Sequence, residues 1–254
     1  MTTDQGSNLA SHRRLDWVRG QLERSGTVEI KESAKVLGVS EMTVRRDLEQ
    51  LEKMGFARRV RGGAVAAGPP PVAERARQNA IAKAVIAQKL AELVPTRGAV
   101  AVDASSTMMG LVSHVQDSSE LTVLTNGPET FNALRQKRGL VPILTGGQLE
   151  PRTGSLVGPI ACQSSGHLLL QKLFVSAAAV DPVVGASEEC AEEAEVKRVL
   201  AAMASEVVLA VDSSKLGDRA VAVSLEWGDV NVLVTELDPE DPRLHRYSSL
   251  VEVR

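Results

Sequence analysis

Three consecutive prolines at 69–71 limit this chain more than any other feature of its sequence. Proline lacks a backbone N–H and has a fixed φ angle. The stretch at 66–72, Ala-Ala-Gly-Pro-Pro-Pro-Val, therefore cannot continue a helix and forms a stiff extended spacer. We predict a small N-terminal domain at 11–65, a linker at 66–73 and a larger domain at 74–254. A chain of 254 residues is long enough for that division.

The N-terminal domain carries the pattern of a helix-turn-helix. The spacing of its apolar residues predicts helices at 13–24 and 31–37, and Gly38 would close the second of these as a C′ glycine. Ser40 is then a good N-cap for a third helix, which would bury Val44, Leu48 and Leu51. The polar residues at 1–10 are expected to form a mobile tail.

The third helix and the segment after it predict contacts with DNA. In a helix-turn-helix, the first residues of this helix lie against base edges in the major groove, where arginine binds guanine bidentately. Residues 56–65 then alternate basic and apolar side chains around two glycines, as a two-stranded wing does. The predicted DNA contacts are Ser40, Met42, Thr43, Arg45, Arg46, Arg58, Arg59, Arg61, Gly62 and Gly63. A solvated helix followed by a basic linker is the alternative.

The charges of the chain are divided unevenly. The net charge is −3, which taken alone argues against a nucleic-acid binder. Residues 1–65, however, hold 12 Lys and Arg against 9 Asp and Glu, a charge of +3. The remainder holds 17 against 23, a charge of −6. The basic share therefore lies in the domain that is predicted to contact DNA.

Cysteine content and hydropathy favour a soluble cytoplasmic protein. Cys162 and Cys190 are too few for a disulfide framework and match no metal-ligand spacing. The first ten residues are unlike a signal sequence, and no apolar run is long enough to span a membrane. We expect neither a metal nor a cofactor.

The larger domain predicts an α/β fold with a mainly parallel, Rossmann-like sheet. Aromatic residues are only 2% of the chain, so its core must be built from Ala, Val, Leu and Ile. A helix at 74–93 would open the domain or contribute to a dimer contact. Strands and helices then alternate, as they do in a parallel sheet with helices on its faces. We predict strands at 99–102, 121–125, 140–144, 172–175, 206–211 and 230–235, and helices at 106–115, 128–134 and 192–204.

Polar residues follow several of these strands. Ligands in such sheets bind at the carboxyl ends of the strands, and the start of a helix attracts anions. Each group has a structural explanation on its own, as a helix cap or a turn. Together they predict a ligand pocket. Its candidate residues are Asp103, Ser105, Ser106, Thr107, Thr125, Asn126, Gly146, Gly147, Lys197 and Lys215.

The stretch from Val39 to Leu51, with Arg61-Gly-Gly-Ala64 after it, closely resembles the DeoR family of bacterial transcriptional regulators. The resemblance extends through residues 13 to 236. It implies a winged helix-turn-helix repressor with a sensor domain related to ribose-5-phosphate isomerases, and phosphorylated sugars as common inducers. By this resemblance, Asp103, Ser106 and Thr107 form the first sensor loop and Lys215 lies in a later Asp-x-Ser-Lys loop. A homodimer or homotetramer on double-stranded operator DNA is expected.

Some residues depart from the family pattern. Ser105 stands where glycine is usual, and its side chain would hinder close wrapping of a phosphate. Ser176 and Ala179 replace two further glycines. Glu188, Glu189 and Cys190 stand where Thr-Pro-Asn/Asp is common, and their acids disfavour a dianionic ligand. The effector is then a differently shaped sugar phosphate, our first choice, or an uncharged or cationic molecule, or the pocket senses nothing.

Two other function classes remain open. The larger domain could be a sugar-phosphate isomerase with Asp103 or Asp181 as its base, although no second acid/base pair has a recognisable spacing. The chain could also be a DNA-binding protein whose larger domain only oligomerises.

Overall fold

A computed structural model of the chain describes residues 4–54, 56–66, 72–115, 120–165 and 168–254. The chain divides into two compact units, Met1–Pro71 and Val72–Arg254. Most of the predicted linker, at 67–71, lies outside the described residues.

The N-terminal unit is a winged helix-turn-helix. Its strands pair antiparallel in the order β1-β3-β2. Gly38, at φ 65°, ends the helix before the turn and donates its N–H to the carbonyl of Ala34, as expected of a C′ glycine. Trp17, Val18, Val44 and Leu48 contribute to one apolar core. The elements are α1 (Asp4–Ser25), β1 (Thr27–Glu29), α2 (Ile30–Leu37), α3 (Glu41–Lys53), β2 (Ala57–Val60) and β3 (Gly63–Ala66).

Two features of this unit differ from the sequence predictions. The mobile tail predicted at 1–10 is wrong from Asp4 onward, because α1 begins there; residues 1–3 lie outside the described part. Strand β1 was not predicted. Its three residues are too few to show a period of two, and the strand exists because it pairs with β3.

The C-terminal unit is an α/β sandwich. Its elements are α4 (Val72–Arg77), α5 (Ala80–Ala91), β4 (Arg97–Val102), α6 (Ser106–His114), β5 (Glu120–Thr125), α7 (Pro128–Leu134), β6 (Leu140–Leu144), β7 (Gln148–Leu149), β8 (Leu156–Val157), α8 (Pro159–Ser165), β9 (Leu170–Val175), β10 (Ala179–Asp181), β11 (Gly185–Glu188), α9 (Ala191–Ala202), β12 (Ala204–Ala210), β13 (Ala222–Leu225), β14 (Val232–Val234) and β15 (Glu252–Val253).

The main sheet of this unit has seven strands in the order β15-β14-β12-β9-β4-β5-β6, and every neighbouring pair is parallel. Successive residues point to opposite faces. Phe174 thus belongs to the same apolar cluster as Ile86 of α5 and Leu111 of α6, whereas Leu173 belongs to the cluster that includes Val196 of α9. The predicted α/β class with a parallel sheet is confirmed.

The strand order reverses between β4 and β9. From β4 the chain proceeds through β5 to β6 on one side, whereas β9, β12 and β14 follow on the other. Ligands in open α/β sheets bind in the crevice at such a reversal, outside the carboxyl ends of the strands. The residues that follow β4 and β9, Asp103 and Ser176, therefore mark the expected site.

Several parts of this unit were not predicted correctly, among them the short strands β7 and β8 and helix α8, which were missed. The helix predicted at 74–93 is wrong, because Asn79 takes a left-handed conformation at φ 53° and separates α4 from α5. A small antiparallel sheet of β10, β11 and β13 was missed, as was β15. Next to that small sheet, Trp227 stands edge-on to Tyr247 with 5.6 Å between the ring centroids.

Candidate functional site

Helix α3 presents a row of polar side chains to solvent. The hydroxyl of Ser40 accepts the N–H of Thr43 at 3.1 Å, which fixes the first turn. Met42, Arg45 and Arg46 are exposed, whereas Val44 is fully buried. Arg45 makes only a loose ion pair of 3.7 Å with Glu41. The exposed residues near the start of α3 are thus available to a partner.

A buried contact with α1 fixes the position of α3. Asp47, directly after the two arginines, accepts two hydrogen bonds from the guanidinium of Arg14 on α1, at 2.5 and 3.0 Å. Asp47 is 4% exposed. A bidentate pair of this kind is geometrically specific. It therefore sets the angle at which α3 presents its outer face.

The wing is a hairpin of β2 and β3. A two-residue turn of Arg61 and Gly62 joins the strands, and Gly62 has a φ of 90°, which favours glycine. Arg58 and Arg61 are exposed, and neither makes an ion pair with any described residue. Both remain candidates for phosphate contacts.

Arg59 differs from its neighbours. Its guanidinium pairs with Glu49 at 2.7 Å and with Glu52 at 2.8 Å, and its backbone N–H donates to Glu52 at 2.9 Å. Both acids lie on α3. The charge of Arg59 is therefore already neutralised within the unit, and the side chain fastens the wing to α3.

Gly63 is buried, although the sequence placed it among the DNA contacts. A Cβ atom there would lie 2.0 Å from the carbonyl oxygen of Val28 on β1. Glycine is needed at this position for close approach of the strands. Its predicted contact with DNA has no support in this geometry.

A groove lies between β1, the start of α3 and the wing. Its lining includes the cations Lys31, Arg45 and Arg61 and the acids Glu29 and Glu41. Sequence reasoning missed Lys31, which lies at the start of α2, where it belongs to neither the third helix nor the wing. A groove with three cations between a helix and a wing suits a phosphate backbone.

In the C-terminal unit, Asp103 joins the two strands at the reversal. Its carboxylate accepts the N–H of Ser176 at 3.0 Å and that of Ser105 at 2.9 Å. Asp103 is 1% exposed and lies 3.3 Å from the ammonium of Lys197. This carboxylate links the ends of β4 and β9, and both of its oxygens accept hydrogen bonds.

Lys197, predicted to bind the effector, is bonded to the protein itself. Its ammonium donates to the carbonyl of Ser176 at 2.8 Å and pairs with Glu188 at 2.9 Å, besides Asp103. Burial alone would lower the pKa of Lys197, but the carboxylates of Glu188 and Asp103 raise it above its usual value. An ammonium has three donors, and three acceptors surround this one.

Glu188 is buried at 3% exposure and accepts the hydroxyl of Ser224 at 3.1 Å. Burial raises its pKa to about 7, since Glu193 and Asp103 add like charge and Lys197 offsets only part of the effect. The sequence predicted that this acid would disfavour a dianionic ligand; in the structure its carboxylate pairs with Lys197.

The loop after β4 opens α6. Ser105, at φ −76°, needs no glycine conformation, and its hydroxyl caps α6 by accepting the N–H of Met108 at 3.3 Å. The backbone at this position therefore does not require glycine. Ser106 and Thr107, both buried, begin the helix. The hydroxyl of Ser106 accepts a hydrogen bond from Lys83 at 3.1 Å.

Four predicted effector residues support neighbouring loops. Asn126 accepts the N–H of Ala104 and donates to the carbonyl of Leu156, while Thr125 accepts the N–H of Gly127. Gly146 and Gly147 have φ angles of 69° and 116° and form the turn after β6. The structure gives these four a role in shaping the site.

Lys215 ends a single 3-10 turn after β12 and is half-buried, and its ammonium makes no hydrogen bond or ion pair with a described residue. The structure adds two cations that sequence reasoning missed, Arg75 on α4 and Lys83 on α5. Burial lowers the pKa of Lys83, and Lys215 is near enough to lower it further. Spacing could not reveal Arg75 and Lys83, because only the fold brings their helices to the loop after β4.

The two candidate bases for isomerase chemistry are both engaged. Asp181 pairs with Arg219 at 2.8 Å and accepts the N–H groups of Val183 and Val184, which hold its pKa well below the usual range. Asp103 links the ends of β4 and β9, as described above. Neither carboxylate is presented as a free general base.

Two structural features are absent from the described residues. No helix there is long and apolar enough to cross a membrane. No group of three His, Cys, Asp or Glu side chains in the same ranges could hold a metal ion.

Comparisons with known proteins match both units. The family model described as DeoR-like helix-turn-helix domain matches residues 14–69, and that described as DeoR C terminal sensor domain matches residues 78–237.

Curated relatives align over most of the chain. The HTH-type transcriptional regulator FruR of Bacillus subtilis is 28% identical over 86% of this chain and 88% of its own. The regulator GlpR of Haloferax volcanii is 32% identical over 79% and 80%. The lactose phosphotransferase system repressor of Staphylococcus epidermidis is 28% identical over 94% and 97%. Among solved structures, ribose 5 phosphate isomerase A of Neisseria gonorrhoeae matches 53% of this chain and 52% of its own at 15% identity, with a TM-score of 0.37.

Proposed function

The chain belongs to the DeoR family of DNA-binding transcriptional regulators, and we propose that it represses carbohydrate genes until a phosphorylated sugar binds its C-terminal unit. Members of this family are regulators and not enzymes, which removes the isomerase alternative. The relative from Staphylococcus epidermidis is by name a lactose phosphotransferase system repressor. The observation that supports the proposal is that one chain contains both a winged helix-turn-helix and a sensor-type parallel sheet. We call the winged helix-turn-helix unit, Met1–Pro71, the reading head.

DNA is read by the exposed first turns of α3. Arg45 and Arg46 contact base edges or nearby phosphates in the major groove, while Arg58 and Arg61 of the wing contact the backbone. Ser40 and Thr43 hold the first turn in shape. The groove lined by Lys31, Arg45 and Arg61 accommodates a phosphate strand between helix and wing.

The effector binds at the carboxyl ends of β4 and β9. The start of α6 offers its first N–H groups and the hydroxyls of Ser106 and Thr107, and Lys83 and Lys215 supply positive charge. Lys197 no longer counts toward this charge, since Glu188 and Asp103 neutralise it. The site therefore suits an anionic group on the side of α5 and α6.

Regulation follows from a shift between two populations. A homodimer or homotetramer places paired heads on two half-sites. The effector binds more tightly to the arrangement whose head spacing does not fit the operator, and so lowers the affinity for DNA. Effector binding and DNA binding are coupled because the effector has different affinities for the two arrangements.

The test is fluorescence anisotropy of the full chain on its own promoter DNA at fixed salt, with a panel of sugar phosphates and the matching free sugars. We expect specific binding that one phosphorylated compound releases and its free sugar does not. Arg45→Ala should weaken operator binding by about 1 to 3 kcal/mol and leave ligand stabilisation intact. Lys215→Ala should do the reverse. The absence of specific DNA binding would contradict the proposal.

A second candidate is a regulator whose C-terminal unit only oligomerises. It is favoured by the internal bonding of Asp103 and Lys197, whose carboxylate oxygens and ammonium protons are engaged with other described residues. Specific operator binding that is indifferent to every compound, with unchanged melting temperature, would establish it instead.

A further inference from the structure

One acidic side chain of α3 lies among the cations that face the wing. Glu41 is the first residue of α3, and it lines the groove between β1, α3 and the wing together with Arg45. Met42 and Arg46 are also exposed on α3, but they do not line this groove. Residues four positions apart lie on the same face of a helix, so Glu41 and Arg45 are presented to the same partner.

The carboxylate of Glu41 has little structural work within the unit. The hydroxyl of Ser40 already caps α3 by accepting the N–H of Thr43. An acid in the first turn interacts favourably with the helix dipole, but any position of that turn would serve this purpose. The side chain of Glu41 is 48% exposed, and its one ion pair with a described residue is the pair of 3.7 Å with Arg45. Its oxygens are therefore available to a partner.

A negative charge in this groove lowers the affinity for DNA unless the DNA offers it a hydrogen-bond donor. Phosphate groups repel a carboxylate, and Lys31, Arg45 and Arg61 are the side chains of the groove that attract the DNA backbone. An ionised carboxylate only accepts hydrogen bonds. Its partner must be a donor, and the donors in the major groove are the amino groups of the bases.

Cytosine is the base whose major-groove edge suits a carboxylate. It presents its N4 amino group there, whereas adenine places the N7 acceptor beside its N6 amino group. Guanine and thymine present acceptors, which repel a carboxylate. An acid at the start of a recognition helix therefore favours cytosine in two ways, because it attracts the matching base and repels the others.

We propose that Glu41 is a specificity-determining residue of the reading head, and that its carboxylate accepts a hydrogen bond from the N4 amino group of one cytosine in each half-site. The inference deepens the proposed reading of DNA by α3, since it adds a residue and names the base that this residue selects. The loose ion pair with Arg45 opens when both side chains meet DNA. Where the cytosine is missing, the carboxylate stays without a donor and weakens binding.

The experiment selects bound duplexes from a DNA library of randomised sequence, with the full chain at fixed salt. The preferred duplex is then changed one base pair at a time, and fluorescence anisotropy gives the affinity for each change. For the wild type we expect one C·G pair in each half-site at which the other bases lower the affinity about tenfold, as is usual for a base contact.

Variants at position 41 isolate the carboxylate. We expect Glu41→Gln to reduce the preference at that base pair to less than about threefold and to leave the profile at the other base pairs unchanged. It should also bind DNA of unrelated sequence more tightly than the wild type does, because a repulsive charge is removed. Glu41→Ala should lose the preference as well, and it covers the case that glutamine selects adenine instead.

Glu29→Gln is the matched control, because it removes an exposed acid from β1 in the same groove. We expect it to raise the affinity for all duplexes alike and to keep the preference for cytosine. Thermal unfolding of each variant checks that the unit is folded.

The Arg45→Ala background separates direct reading by Glu41 from an effect through Arg45. In that background Glu41 should still select cytosine, and the addition of Glu41→Gln should abolish the selection. Loss of the cytosine preference in Arg45→Ala alone would assign the contact to Arg45 and overturn the proposal.

The remaining outcomes distinguish this inference from the proposed function. A wild type that selects no sequence contradicts the proposed function and this inference with it. A wild type that selects a sequence, with the same base profile in Glu41→Gln, overturns this inference alone. A uniform change in affinity for all duplexes would likewise overturn it, since Glu41 would then act only as a general charge.

Discussion

Arg58 and Arg59 are adjacent in sequence, yet their surroundings differ completely. In a strand, successive side chains point to opposite faces. Arg59 faces α3 and pairs with Glu49 and Glu52, while Arg58 makes no ion pair with a described residue. The sequence predicted both as DNA contacts, because composition cannot tell which face of a wing is turned toward its own helix.

This difference predicts separate effects on DNA binding. Arg58→Gln should flatten the plot of log affinity against log salt concentration by about 0.9 for each bound head, because one fewer phosphate is neutralised. Arg59→Gln should lower the affinity for DNA, because the wing loses its fixed position. It should leave the slope unchanged, because no phosphate contact is lost. Titrations of operator DNA at several salt concentrations measure both. A slope change with Arg59→Gln equal to that of Arg58→Gln would contradict the assignment.

Glu188 provides a prediction about pH. Its carboxyl has a pKa raised from 4.5 to about 7, so the folded chain holds this proton more tightly than the unfolded chain does. The stabilisation is fully present below about pH 4.5 and is lost as the pH rises through 7, by up to about 1.4 kcal/mol per pH unit.

Glu188→Gln should remove this dependence on pH. Thermal unfolding of both proteins between pH 5 and 8 gives the difference in stability. We expect the stability of Glu188→Gln relative to the wild type to increase as the pH rises. Glu189→Gln, at the exposed neighbouring position, serves as the control and should parallel the wild type. Parallel curves for all three proteins would show that Glu188 is ionised normally.

At the scale of elements, segments with an apolar pattern of their own were predicted better than strands that are defined by their partners. Helix α7 and strand β6 have the predicted bounds. Strand β1 and the small sheet of β10, β11 and β13 were missed, because strands of three or four residues are defined by their partners and not by their own pattern. The helix predicted at 74–93 failed at Asn79, where tertiary hydrogen bonds stabilise a left-handed residue.

The candidate site shows the same limit. The loop after β4 was predicted from its residues, because strand-to-helix loops have a local signature. Two other features depend on which helices pack beside that loop. Lys197 is neutralised there, and Arg75 and Lys83 lie near the loop. Such contacts join residues far apart in sequence, and no spacing rule contains them.

The packing of β1 on the wing gives a prediction for Gly63. Gly63→Ala should destabilise the N-terminal unit by about 1–3 kcal/mol, because its Cβ meets the Val28 carbonyl in a strand that cannot move freely. Gly62→Asn changes a turn position with open space around it and should destabilise the unit less. Thermal unfolding and operator binding of the full chain measure both. Equal stability of Gly63→Ala and the wild type would show that the strands can separate to admit a methyl group.

At the scale of the whole molecule, the two units carry opposite charge, +3 for residues 1–65 and −6 for the remainder. Repulsion between the acidic part and DNA leaves the heads as the source of the salt dependence. The number of heads on one operator is therefore readable from a single substitution.

We expect Arg58→Gln to change the salt slope by about 1.8 if two heads bind one operator, and by about 0.9 if one head does. The measurement is the slope difference from the wild type on a full operator and on a half-site. A difference that is the same on both DNAs would show that the heads do not act in pairs.

The chain has two tryptophans, and they fall one in each unit. Trp17 lies at the edge of the core around Val18 and Leu48, while Trp227 stands against Tyr247 and donates its indole N–H to the carbonyl of Asp181. The protein thus contains a separate intrinsic fluorophore for each unit. Trp17→Phe would leave an emission spectrum that reports the C-terminal unit alone, and Trp227→Phe would isolate the reading head, without any attached dye.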